Sequence, residues 1–200
     1  VVFLLFLILI LLIVKLPTKI DRLSFLYLIY SICSADETTP KKKKIVGAEV
    51  GVFQGNYSEK ISKFFLNKMD LELWLIDPWK LNDNYKDYNQ NELDSAYNKV
   101  LKKFKNKKGI KILREESSIA SKKFKDESLD FVYIDGNHEY EDVKNDLNIW
   151  FKKLKKNGVL FGDDYSRPYG VHKAVSEFSF ENKLIVKFSD SYKQFAIIKN

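Results

Sequence analysis

A Rossmann-like α/β fold, a doubly wound and mainly parallel sheet with a C-terminal antiparallel hairpin, is the class that residues 45 to 200 predict. Short apolar runs alternate with stretches of helical spacing from residue 44 onward, which is the pattern of a sheet covered by helices on both faces. An acidic residue closes nearly every one of those runs. At the tail, two strand-like runs follow one another with no helix between them, so the last pairing is antiparallel.

The elements follow in order. "KIVGAEVGVF" (44 to 53) is a buried strand ending in glycines, and "SEKISKFFLNKM" (58 to 69) has helical spacing. "LELWLID" (71 to 77) is a strand, and 91 to 107 is an amphipathic, Lys-rich helix. Then come "GIKILRE" as strand, "SSIASKKF" as a short helix and "LDFVYID" as strand. "EDVKNDLNIWFKKLKKN" is a helix, "GVLFGDD" (158 to 164) a strand and "GVHKAVSEF" a helix. "KLIVKFSD" and "KQFAIIKN" form the closing hairpin.

With 200 residues, 45% of them hydrophobic and 14% aromatic, the chain can bury one sizeable core, which excludes a disordered main body. The formal charge of +7 comes mostly from Lys dispersed among Asp and Glu. Such dispersal marks a solvated face and excludes a specific nucleic-acid groove, which adds Arg and stacking aromatics. The single Cys33 excludes an internal disulfide and a Cys-based zinc cluster.

Residues 1 to 33 are set apart as a hydrophobic segment and 34 to 44, "SADETTPKKKK", as a linker. Residues 1 to 14 carry no charge, and as a helix they would reach roughly 21 Å, short of a hydrocarbon core of about 30 Å. Three readings compete: a membrane anchor, which is favoured, a signal-like segment ending at Ser34-Ala35, and a translated leader.

Ligands of an open parallel sheet sit at the carboxyl ends of its strands. Glu49, Gly51 and Gly55 end the first strand, Asp77 the second, Glu115 and Glu116 the third, Asp135 the fourth, and Asp163 with Asp164 the fifth. Glycine suits a turn where backbone approaches a ligand, and Glu49 suits an ammonium or hydroxyl better than a phosphate. Asp77 is placed to take two ribose hydroxyls, or else to make an Asx turn before Pro78. Glu116 and Ser117 either border a base or begin a helix. Asp135, Asp163 and Asp164 would crowd like charges together, a cost that a divalent cation removes. His138 is then the best-placed base in the chain, while His172 is read as surface.

With these residues in view, positions 45 to 198 resemble the class I S-adenosylmethionine-dependent methyltransferases. The match is closest to a small family with an "IDG-x-H-x-Y" block and a "DDY" block, here "IDGNHEY" and "NGVLFGDDY"; "AEVGVFQGNYS" and "LIDPW" are similar too. The resemblance implies Glu49, Gly51 and Gly55 around the methionine part of S-adenosylmethionine, Asp77 on its ribose, and Glu116 with Ser117 near its adenine. Asp135 would lie between cofactor and metal. Relatives that methylate sugar hydroxyls imply magnesium on Asp135, Asp163 and Asp164, and His138 as base. Asn137 and Asn157 depart from the family pattern without removing a proposed ligand. The implied activity is metal-assisted O-methylation of a small-molecule or sugar hydroxyl, by a cytoplasmic domain to which cofactor is supplied. A metal-dependent hydrolase and a non-catalytic, membrane-tethered nucleotide-binding module are the rival readings.

Overall fold

The computed structural model describes residues 22–34, 43–81, 88–166, 170–191 and 193–200. The apolar run 1 to 14, most of the linker, and the centre of the 80 to 92 loop lie outside them. Seven strands form one sheet in the order β3-β2-β1-β4-β5-β7-β6. These are β1 (Lys44–Val50), β2 (Asp70–Ile76), β3 (Ile110–Leu113), β4 (Leu129–Ile134), β5 (Leu154–Gly162), β6 (Val186–Phe188) and β7 (Phe195–Ile198). The first five run parallel, and β7 inserts antiparallel between β5 and β6. The order of strands turns back at β1, between β2 and β4, which is where such sheets bind ligands.

Side chains alternate across the sheet, so each strand feeds two cores. Ile45, Leu73, Leu75, Phe131, Tyr133 and Phe161 face one layer of helices: α1 (Arg22–Ser34), α2 (Asn56–Phe65) and α3 (Gln90–Phe104). Ala48, Val50, Ile76, Val132 and Leu160 face the other: α4 (Ser117–Ala120), α5 (Tyr140–Lys153) and α6 (Val171–Glu181). A capping box starts α3, with Asn89 Oδ1 accepting from the Glu92 amide at 3.1 Å and Glu92 Oε2 from the Asn89 amide at 2.8 Å.

Two elements differ from the sequence reading. Within the N-terminal segment set apart as hydrophobic, Arg22–Ser34 form α1, and its Phe25, Leu26 and Ile29 are core residues, so the packed unit extends N-terminal of residue 45. Each of those side chains contributes roughly 1.5 to 3 kcal/mol by leaving water. Strand β5 starts at Leu154, not Gly158, because a register shift opposite Leu129 and Phe131 accommodates the exposed "KKN". Asn157 takes the left-handed conformation there at φ 62°, which asparagine tolerates. Among the described residues, no helix is long and apolar enough to cross a membrane.

Candidate active site

The loop after β1 is built around the Asp77 carboxylate. Asp77 Oδ2 accepts from the amides of Val52 and Phe53, both at 2.9 Å, and Oδ1 from that of Trp79 at 2.7 Å. The indole of Trp79 closes the arrangement by donating to the Phe53 carbonyl at 2.8 Å. Burial raises the Asp77 pKa, and the three amides, with Arg114 behind them, pull it back. The sequence reading offered two roles for Asp77, ribose ligand or turn-former, and in this conformation the carboxylate ties the two turns together.

Gly51 has φ +88°, and a Cβ there would lie 2.1 Å from the Asp135 carbonyl oxygen. No other residue fits where the first loop passes over the fourth. Beneath this crossing Glu49 is 1% exposed, and its Oε2 has no hydrogen-bond partner; the buried Ser58 lies beside the carboxyl. Burial pushes Glu49 up to about 8; the nearby carboxylates of Asp135 and Asp77 add to this, and Ser58 offsets it only in part. A buried carboxyl with an oxygen still unpartnered, under a turn that only glycine can make, fits the ammonium end of an amino-acid-bearing cofactor, whose charge would favour the ionised acid. Helix α2 begins beside them after Gly55, with no side chain capping it.

The fourth and fifth strands bring together Asp135, His138 and Asp164, whose candidate ligand atoms all lie within 4.8 Å of one another. His138 Nε2 is 2.8 Å from Asp164 Oδ2, without the alignment of a hydrogen bond. Asp135 Oδ2 accepts from the Tyr133 hydroxyl at 2.9 Å. Burial raises the Asp135 pKa and Asp164 adds to it, against the pull of Tyr133, Arg22 and His138. Asn137 shapes the turn: its Oδ1 accepts from the Glu139 amide at 3.1 Å and its Nδ2 donates to Asp142 at 2.5 Å.

Asp163 stands apart from that cluster. It is ion-paired with Arg22 of α1, and its Oδ1 accepts from Gln194 Nε2 at 2.6 Å. Ser117 also turns away from the strand ends: its hydroxyl donates to Asp146 Oδ1 at 2.5 Å and accepts from Trp150 Nε1 at 2.8 Å. Glu116 is exposed and precedes α4 without capping it through its side chain. His172 is exposed, with its ring 4.7 Å from that of Tyr165.

Arg22, Gln194 and Asp146 escaped the sequence reading. The signal for Asp146 was present: it shares a helical face with Val143, Leu147 and Trp150, where a carboxylate is out of place. Arg22 lies within the segment 1 to 33 set apart as hydrophobic and carries no such signal.

A parallel sheet with this switch point, a glycine turn over a buried acid after β1, and acids on the following strand ends define a class I S-adenosylmethionine-dependent methyltransferase. The chain belongs to the family described as "Methyltransferase domain", whose model matches residues 48–165. Among solved structures, the O-methyltransferase NovP superposes with a TM-score of 0.61 at 16% identity, covering 88% of this chain and 79% of that one. A caffeoyl-CoA O-methyltransferase homologue from Staphylococcus aureus gives 0.54 at 18% identity, covering 93% and 87%. An uncharacterized protein of Acanthamoeba polyphaga mimivirus is 43% identical over 37 residues, 18% of this chain and 17% of that protein. A second, from Sinorhizobium fredii, is 38% identical over 61 residues, 30% of this chain and 7% of that protein. The chain thus spans a small part of the curated relatives it matches, and its likeness to the solved structures is one of fold.

Proposed function

We propose that this methyltransferase transfers a methyl group to the hydroxyl of a small molecule, a sugar among the candidates, with assistance from a divalent cation such as magnesium. The observation that carries this reading is the convergence of Asp135, His138 and Asp164 beside the glycine turn. When bound, S-adenosylmethionine supplies the sulfonium methyl and the cation a Lewis-acid charge. Glu49 would hold the cofactor's ammonium group, and Asp77 the loop that covers it. Asp77 has one carboxylate lone pair left for a ribose hydroxyl after its three amides. Asp135 and Asp164 offer hard oxygen donors suited to magnesium, with Asp163 joining them once released from Arg22. His138 Nε2, held beside Asp164, would accept the proton of the acceptor hydroxyl. Holding the two reactants in line is worth up to about 7 to 11 kcal/mol of the barrier.

Calorimetric titration with S-adenosylmethionine, with and without magnesium, tests the reading. Saturable binding that Glu49→Gln weakens, and methyl transfer that a chelator suppresses, are expected. Binding with no effect of chelator would remove the cation; no binding would return the site to a hydrolase or a non-catalytic module. Attachment of the domain to a membrane through the N-terminal segment 1 to 33 is a proposal from sequence alone, and the part of it in α1 packs on the core.

A further inference from the structure

A cavity of about 680 Å³ lies between α1 and α2, a size that suits a small molecule. Leu26 of α1 and Tyr57 and Phe64 of α2 give it an apolar and aromatic floor, all three being buried. Arg22, Lys60 and Lys63 line it as well, and among the described residues no Asp or Glu does. Tyr57, Lys60 and Phe64 recur at helical spacing, with Lys63 beside them, so one face of α2 supplies both the aromatic floor and two of the three charges.

The two ends of the cavity differ. At one end Arg22 and Gln194 both hold Asp163, the neighbour of Asp164. Tyr57 belongs to this end too: its ring lies 4.3 Å from that of Tyr133, whose hydroxyl donates to Asp135. The other end, at Lys63 and Phe64, lies roughly 10 Å further along α2 at about 1.5 Å per residue. Two of the cations already have acids of their own, Arg22 in Asp163 and Lys63 in Glu59 at 2.7 Å. Lys60 forms no ion pair among the described residues, although it stands between them on the same cavity.

We propose that this cavity receives the methyl acceptor and that the acceptor is an anion: a hydroxyl compound whose carboxylate or phosphate is held by Lys60, with Lys63 beside it. Its body lies on Tyr57 and Phe64, and its hydroxyl reaches the acidic centre at the Arg22 end. This rests on the methyltransferase reading above and adds to it the charge of the substrate. A neutral acceptor gains nothing from the lysines, and a cationic one is repelled by all three charges. An anion makes a charge-assisted hydrogen bond to Lys60 without displacing an acid already there.

The test is calorimetric binding, with S-adenosylhomocysteine present, of two matched pairs: dihydroxycinnamate against its methyl ester, and glucose-6-phosphate against glucose. In at least one pair the wild-type protein is expected to bind the anion about tenfold tighter than its neutral partner, and which pair does so separates a carboxylate on a ring from a phosphate on a sugar. Added salt should shrink that preference. Lys60→Gln combined with Lys63→Gln, both at exposed positions, should reduce it to about twofold or less while the affinity for S-adenosylhomocysteine stays the same. Equal affinities within both pairs, or binding of none of the four compounds by protein that holds S-adenosylhomocysteine, overturn the proposal. So does a preference that survives the double substitution. Protein that does not hold S-adenosylhomocysteine at all would sink the cofactor reading, and this inference with it.

Discussion

Arg22 is ion-paired with Asp163, so the first described helix reaches across to the end of the fifth strand and neutralises the acid that precedes Asp164. The Arg22 guanidinium also lies 5.2 Å from the centre of the Tyr57 ring, and the Tyr57 hydroxyl donates to the Arg22 carbonyl at 3.2 Å. Under the proposed cation-assisted reading, the Arg22 guanidinium would compete with a dissolved cation for Asp163.

Arg22→Gln removes that competitor. Affinity for Mn2+, read by isothermal titration, should rise about tenfold, consistent with one like charge fewer at close range in a partly buried site. Unchanged affinity would place the cation away from Asp163.

His138→Ala should leave S-adenosylhomocysteine binding within about twofold of wild type while turnover falls by about 10² to 10⁴, the usual worth of a positioned base. Single-turnover methyl transfer measures it. A drop in cofactor affinity of the same size would make His138 a structural part of the loop.

Asp77→Ala strips three backbone amides of their acceptor. A loss of about 1 to 3 kcal/mol is expected for leaving such donors without a partner, read as a lowered denaturant midpoint, together with weaker cofactor binding. Weaker binding at unchanged stability would mean that the carboxylate acts on the ligand and not on the loop.

Glu49 links stability to pH. Its pKa is raised to about 8 in the folded state, so its contribution is fully present at low pH and is lost as pH rises through that value. Glu49→Gln should therefore gain on wild type as pH rises from about 4.5 to about 8, by up to about 4 kcal/mol in all, and no further above that, measured by chemical denaturation. Bound S-adenosylhomocysteine should remove the gain, since its ammonium favours the ionised acid. A difference between the two proteins that does not move with pH would show Glu49 to be solvated.

The alternating apolar runs made the sheet legible, because a period of two forces one face of each strand into each core. The same runs made the strand-end acids legible, and Asp135, His138 and Asp164 do meet. What stayed hidden depends on tertiary contact. Nothing local in "KLPTKIDR" tells that Arg22 finds Asp163, nor does Asp77 announce that amides 24 and 25 residues upstream will fill it. Ser117 was read by its place at a helix start, whereas Asp146, one helix away, turns it inward. The start of β5 is not legible locally, because a bulge opposite Leu129 and Phe131 breaks the period of two there.

Strand β7 takes its place between β5 and β6 although it is synthesised after both. Without it, the outer edge of β5 is an open ladder and β6 lacks the strand it pairs with. Gln194, which grips Asp163, arrives in the same stretch. Until β7 docks, the sheet therefore has one open seam between β5 and β6, and Asp163 lacks its Gln194 contact.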